Sequence, residues 1–186
     1  GEALQRGLIN QHDIDRAVTR IYTTRFKLGM FDPQEQVPFA SIPESVINSD
    51  AHRQLAYEAA LKSLVLLKNE GEILPLRDLR NLYVLGPTAA SAEVLMGNYY
   101  GLSDTLTTLI EGIVARTPEG VRLEYRPGTL LLHAPANPST WTTNAAARAD
   151  VVIACMGLSP QLEGEEGDAI ESPATGDRVE IGLPAV

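Results

Sequence analysis

Apolar residues early in the chain follow a helical period. Ile14, Ala17, Val18, Ile21, Tyr22 and Phe26 recur at about 3.6-residue spacing, which predicts a helix over 9–31. Asn10 is its candidate N-cap, and Asp13 and Asp15 place carboxylates in the first turn against the helix dipole. Gly29 fits the stop and Pro33 lies beyond it. Periodicity then lapses across Pro33, Pro38 and Pro43, the spacing of an extended, semi-rigid connector. Ser49 and Asp50 are placed to cap a second helix over 51–68, ended by Asn69, Glu70 and Gly71.

Beyond that point the pattern alternates between strands and helices. NLYVL at Asn81–Leu85 reads as a short strand, 107–116 as a helix, 121–125 as a strand, 141–149 as a helix and 151–156 as an apolar strand. Strand, helix, strand, helix, strand predicts an α/β fold, with a mostly parallel sheet covered on both faces. Ligands of such sheets meet the loops at the carboxyl ends of the strands. The loop after 151–156 carries the most chemistry of the three.

The 186 residues are 44% hydrophobic and 21% charged, enough for a packed core, and the formal net charge is −9. An acidic surface repels phosphate backbones and argues against nucleic acid. No apolar run approaches the ~18 residues of a membrane span. The one cysteine, Cys155, cannot form an internal disulfide and reads as a small buried hydrophobe. It leaves the compartment open, with a periplasmic or secreted setting favoured over the cytoplasm. The opening GEALQRGLIN and the closing IGLPAV are both expected to be cuts in a longer protein.

Glu163, Glu165, Glu166 and Asp168 stand within six positions, followed by Glu171 and by Asp177-Arg178. Clustered carboxylates repel one another, which predicts that at least one holds its proton near neutral pH, as a general acid must. A solvated acidic loop and a calcium site are the competing readings, although the spacing is not that of an EF-hand. MGNYYG offers Asn98, Tyr99 and Tyr100 as a sugar-facing platform, or as a turn whose tyrosines fill a surface between domains. GPTAA has neither a GxGxxG nor a GK[ST] pattern, and no Gly-x-Ser-x-Gly occurs, so nucleotide binding and serine hydrolysis are weak readings. His12, His52 and His133 are scattered without partners.

Several strings together resemble glycoside hydrolase family 3. RFKLGMFDP is similar to the segment leaving that family's first domain, and HRQLAYEAALKSLVLLKNEGEILPL to its linker helix and the start of its second domain. NLYVLGPTA, MGNYYG and GLSPQLEGEEGD…GDRVEIGLP resemble later parts of that second domain, with a lean toward the β-xylosidase branch. The resemblance implies a (β/α)₈-type barrel bearing the nucleophilic aspartate, followed by an αβα sandwich that lends an acid/base carboxylate. On this reading 1–31 is the helical tail of the barrel, 32–50 the linker, and 51–186 a truncated sandwich with an open sheet edge. The nucleophile is not in this chain, and the chain alone is expected to be inactive. The resemblance further implies retaining exo-hydrolysis of terminal β-D-xylosyl or β-D-glucosyl residues, with xylo- or gluco-oligosaccharides as substrate and the barrel as partner domain. No cofactor or metal is required. Glu165 is the preferred acid/base, Glu163 the alternative or its tuning neighbour, and Glu166 the third candidate. Asp177 and Arg178 are expected to anchor the loop, Arg178 by a salt bridge. A non-catalytic α/β binding domain with an acidic, calcium-binding loop is the alternative function.

Overall fold

The computed structural model describes residues 1–97, 101, 103–131, 133, 140–165, 169, 171–172 and 174–183. It divides into two compact units, Gly1–Val65 and Leu66–Val186.

The first unit is helical: α1 (Glu2–Gln5), α2 (Gln11–Lys27) and α3 (Asp50–Ser63). Asn10 closes a capping box on α2. Its Oδ1 accepts from the Asp13 amide at 3.0 Å, and the Asp13 carboxylate accepts from the Asn10 amide at 3.1 Å. At the other end Gly29 adopts φ +70°. The Gly29 amide donates to Phe26 and the Met30 amide to Arg25, the paired bonds of a Schellman stop. The proline segment is not uniformly extended. Pro33 and Pro43 open the short 3₁₀ turns Gln34–Gln36 and Glu44–Val46, for which proline's fixed φ is suited.

Helix α3 ends five residues before the expected stop. The Ser63 hydroxyl donates to the Ala60 carbonyl at 2.8 Å, and Leu64 turns extended at ψ 128°. Serine's bond to the preceding turn competes with the helical ladder, and the adjoining LVLL run with β-branched Val65 suits an extended backbone better. None of residues 1–65 is buried, and the α2 stripe stays uncovered, with Ile21 54% and Phe26 64% exposed.

The second unit runs β1 (Asn81–Leu85), α4 (Leu109–Arg116), β2 (Arg122–Arg126), α5 (Thr140–Ala146) and β3 (Val151–Ala154). The strands pair in parallel in the order β2-β1-β3, with Leu82 opposite Leu123 on one side and Val151 on the other. This is a three-stranded parallel sheet with flanking helices, the expected αβα arrangement with its sheet open at the edges. Central β1 supplies the core: Leu82 and Val84 are buried with Ala89 and Cys155, and Ile110, Ile113, Leu123 and Ile153 pack around them. Tyr83 is buried at the alternate position of the strand. Apolar β3 is an edge strand of the described sheet, and its Val152 is 40% exposed, so cover over the faces is incomplete there.

Two local features draw the strand ends together. At the amino end of the strands, the Asp150 carboxylate accepts from the amides of Arg80 and Asn81, both at 2.8 Å, tying β3 to the start of β1. Those two amides, Asn81 first, hold the Asp150 carboxyl below its ordinary value of 3.8. At the carboxyl end, Gly86 takes φ +116°, and a Cβ there would stand 1.9 Å from the Cys155 carbonyl oxygen.

Gly86→Ala is therefore expected to lose at least about 2 kcal/mol of stability, through left-handed strain plus backbone collision. A denaturant melt checks this, and a near-neutral change contradicts it. The Asp150 link has a lowered folded pKa, so its stabilisation is complete above the ordinary carboxylate range and is lost as pH falls through the folded pKa. The melting-temperature gap between the native chain and Asp150→Ala should be open at neutral pH and close in strong acid. A gap independent of pH contradicts the charged anchor.

Candidate functional site

Chain order makes one crevice special. From β1 the chain crosses to β2 on one side, then returns past β1 to β3 on the other, so the carboxyl ends of β1 and β3 form the switch point where open α/β sheets take ligands. The loops leaving these two strands are rooted together. Gly86 lies against the Cys155 backbone, and the Thr88 hydroxyl donates to the Cys155 carbonyl in a buried bond of 2.8 Å. Burial pushes the Cys155 thiol pKa up, away from thiolate chemistry, which leaves the residue a packing role at this root.

From this root the acidic loop folds on its own polar groups. The carbonyl of buried Ser159 accepts from the amides of Leu162 and Glu163, both at 3.0 Å, and its hydroxyl accepts from the Gln161 amide at 3.2 Å. Leu162 and Ala169 of this loop are buried. The Glu171 amide returns to the Gln161 carbonyl at 3.0 Å, closing the excursion that contains Glu163 and Glu165. Buried Ser172 makes a second turn: its hydroxyl donates to the Gly176 carbonyl and accepts from the Ala174 amide.

The two leading glutamates differ in their surroundings. The half-buried Glu163 accepts from the Arg178 amide at 3.1 Å, bridging 15 positions across the loop. Glu165, two residues on, is exposed. The Arg178 guanidinium donates to the carbonyls of Glu180 (3.3 Å) and Gly182 (2.6 Å). Among the described residues no carboxylate pairs with it, and its side chain holds the adjoining segment through these two backbone oxygens. Asp177 is exposed. Glu166 lies outside the described residues, as do Asp168 and the proposed sugar platform Asn98, Tyr99 and Tyr100.

One pair escaped the sequence reading. The Gln161 side-chain amide donates to both carboxylate oxygens of Glu93, at 3.1 and 3.3 Å, joining the loop after β3 to the loop after β1. The partners stand 68 positions apart, and no local motif signals such a contact. Among the described residues, no group of three or more His, Cys, Asp or Glu side chains is placed to hold a metal ion. No described helix is long and apolar enough to cross a membrane.

Residues 64–185 match the model of the glycosyl hydrolase family 3 C-terminal domain. A probable exo-1,4-beta-xylosidase of Aspergillus clavatus is 36% identical over 168 residues, covering 90% of this chain and 21% of that protein. Beta-D-xylosidase 1 of Arabidopsis thaliana is 34% identical over 169 residues, covering 89% of this chain and 21% of its own length. A solved family 3 exo-beta-xylosidase, in complex with a xylobiose aziridine activity-based probe, superposes at a TM-score of 0.76 with 32% identity, covering 98% of this chain and 22% of that one. A beta-glucosidase from Erythrobacter marinus gives a TM-score of 0.66 at 27% identity, covering 95% of this chain and 26% of that one. The chain thus spans 21% of the length of these two curated relatives.

Glu163→Ala should speed hydrogen exchange at the Arg178 amide by roughly tenfold, the worth of one charge-assisted hydrogen bond, while Glu165→Ala leaves that amide unchanged. Equal effects from the two variants, read by amide exchange, contradict the anchoring role of Glu163.

Proposed function

Because the chain belongs to glycoside hydrolase family 3, we propose that it supplies the general acid/base loop of a retaining exo-glycosidase that removes non-reducing terminal β-D-xylosyl residues. The observation that carries this reading is a glutamate-bearing loop rooted at the β1/β3 switch point and tied across its width by Glu163 and Arg178. The nucleophilic aspartate belongs to a barrel domain of the same polypeptide, which also holds most contacts to the sugar.

The chemistry needs two carboxyls about 5–5.5 Å apart on either side of the glycosidic bond. The aspartate attacks the anomeric carbon while Glu165, protonated, gives its proton to the departing oxygen. The resulting carboxylate then takes a proton from water, which displaces the aspartate and restores the original anomeric configuration. Glu165 suits the task because it is exposed on the loop, within reach of a substrate. Glu163 is spent on the Arg178 amide, which fits a supporting role beside the acid. Xylosides are preferred to glucosides because the curated relatives at 34–36% identity are named xylosidases. A split site also explains the expected inactivity of this chain by itself.

Hydrolysis of xylobiose and of 4-nitrophenyl β-D-xyloside and β-D-glucoside tests the proposal, using this chain and the polypeptide that joins it to its barrel. Activity is expected only from the longer polypeptide, with xyloside favoured. There, Glu165→Gln should cut kcat/KM on xylobiose by about 10²-fold or more, since the alcohol leaving group needs the proton. Turnover by the chain alone, or an unaffected Glu165→Gln enzyme, would overturn it.

A further inference from the structure

Two loops converge on the β1/β3 crevice, and only one carries the candidate acid. The other loop carries Glu93, at the head of the 3₁₀ turn Glu93–Leu95. Beyond the shared root at Gly86, Thr88 and Cys155, Gln161 reaches across and places its amide nitrogen on both oxygens of the Glu93 carboxylate. An ionised carboxylate only accepts, so the contact fixes which end of the Gln161 amide faces Glu93. Both side chains are half-buried, where a hydrogen bond to a charged acceptor is stronger than in open water.

Gln161 is held at two further points in its own loop. Its amide donates to the Ser159 hydroxyl, and its carbonyl accepts from Glu171. The span between Gln161 and Glu171 contains Glu163 and Glu165. Shifting Gln161 therefore shifts both glutamates, and its side chain is tied to a turn on the neighbouring strand's loop. A flexible acidic loop would otherwise sample many positions over the crevice, whereas proton transfer requires one.

We infer that Glu93 and Gln161 form a positioning latch that sets the placement of the acid/base glutamate over the β1/β3 crevice. The inference rests on the reading of this loop as the acid/base loop. Neither residue touches the reacting atoms. The pair acts by holding the loop, so its loss should weaken the step that needs a well-placed proton and spare the step that does not. Misplacement by about 1 Å is enough to cost up to 10²-fold in such a step.

Leaving-group dependence in the complete enzyme separates positioning from general damage. Glu93→Ala and Gln161→Leu (the second keeps the bulk and removes the donor) are expected to lower kcat/KM on xylobiose by roughly tenfold or more. On 2,4-dinitrophenyl β-D-xyloside, whose leaving group departs without a proton, the loss should stay within about threefold. Glu93→Gln keeps an acceptor oxygen and should recover most of the xylobiose rate. Equal losses on both substrates, or no recovery by Glu93→Gln, overturn the latch. Glu163→Gln and Glu165→Gln run alongside keep the two ideas apart. If either separates the substrates while the latch variants do not, the latch alone fails. If neither does, the acid/base reading fails and takes the latch with it.

Discussion

At the carboxyl end of β1, one residue without a side chain lets neighbouring strand exits approach. The Gly86 amide donates to the Pro127 carbonyl after β2 at 2.9 Å, and its Cα lies where any Cβ would strike the Cys155 backbone after β3. That closeness lets the Thr88 hydroxyl reach the Cys155 carbonyl and roots the loops of β1 and β3 side by side. Everything distinctive about the candidate site lies further along these two loops: the Ser159 turn, the Glu163 anchor and the Glu93–Gln161 bond. A sheet whose strand exits stood further apart would leave the acidic loop with only its internal bonds.

The elements that could be read from sequence are those with local causes. Asn10 and Asp13 are three apart and cap α2 as the motif requires, and Gly29 takes the left-handed turn that ends it. Strand β1 falls at Asn81–Leu85 as its pattern predicts. The end of α3 was not readable, because LKSLVLLK contains no glycine or proline, and the choice between helix and extended chain rests on Ser63 and Val65. Within the site, composition marks the loop and not the roles. Glu163 and Glu165 are the same residue two positions apart, and burial and the bond from the Arg178 amide to Glu163, neither of them a local signal, set them in different surroundings. The Glu93–Gln161 contact depends on strand order, which lies beyond any window of local pattern.

The helical unit leaves its apolar positions exposed. The apolar stripe of α2 is built for burial, yet none of residues 1–65 is buried, and Leu64 to Leu67 are between 66% and 91% exposed. Surfaces of this kind call for a cover. The proposed enzyme supplies one, because a barrel domain that holds the nucleophile must also meet the acidic loop. The same requirement explains why a glutamate on a surface loop is useful. In the proposed enzyme the partner carboxylate comes from another domain, and a stiff loop presents the acid when the two meet.

The central claim is that Glu165 works as the acid/base and Glu163 as its anchor. Azide rescue of the complete enzyme tests it most directly, because azide attacks the glycosyl-enzyme without a general base and occupies the space left by a truncated acid/base side chain. With an activated xyloside, Glu165→Ala should regain turnover on adding azide and release β-xylosyl azide, whereas Glu163→Ala should yield none. Rescue of Glu163→Ala alone would exchange the two roles, and rescue of neither would contradict the account.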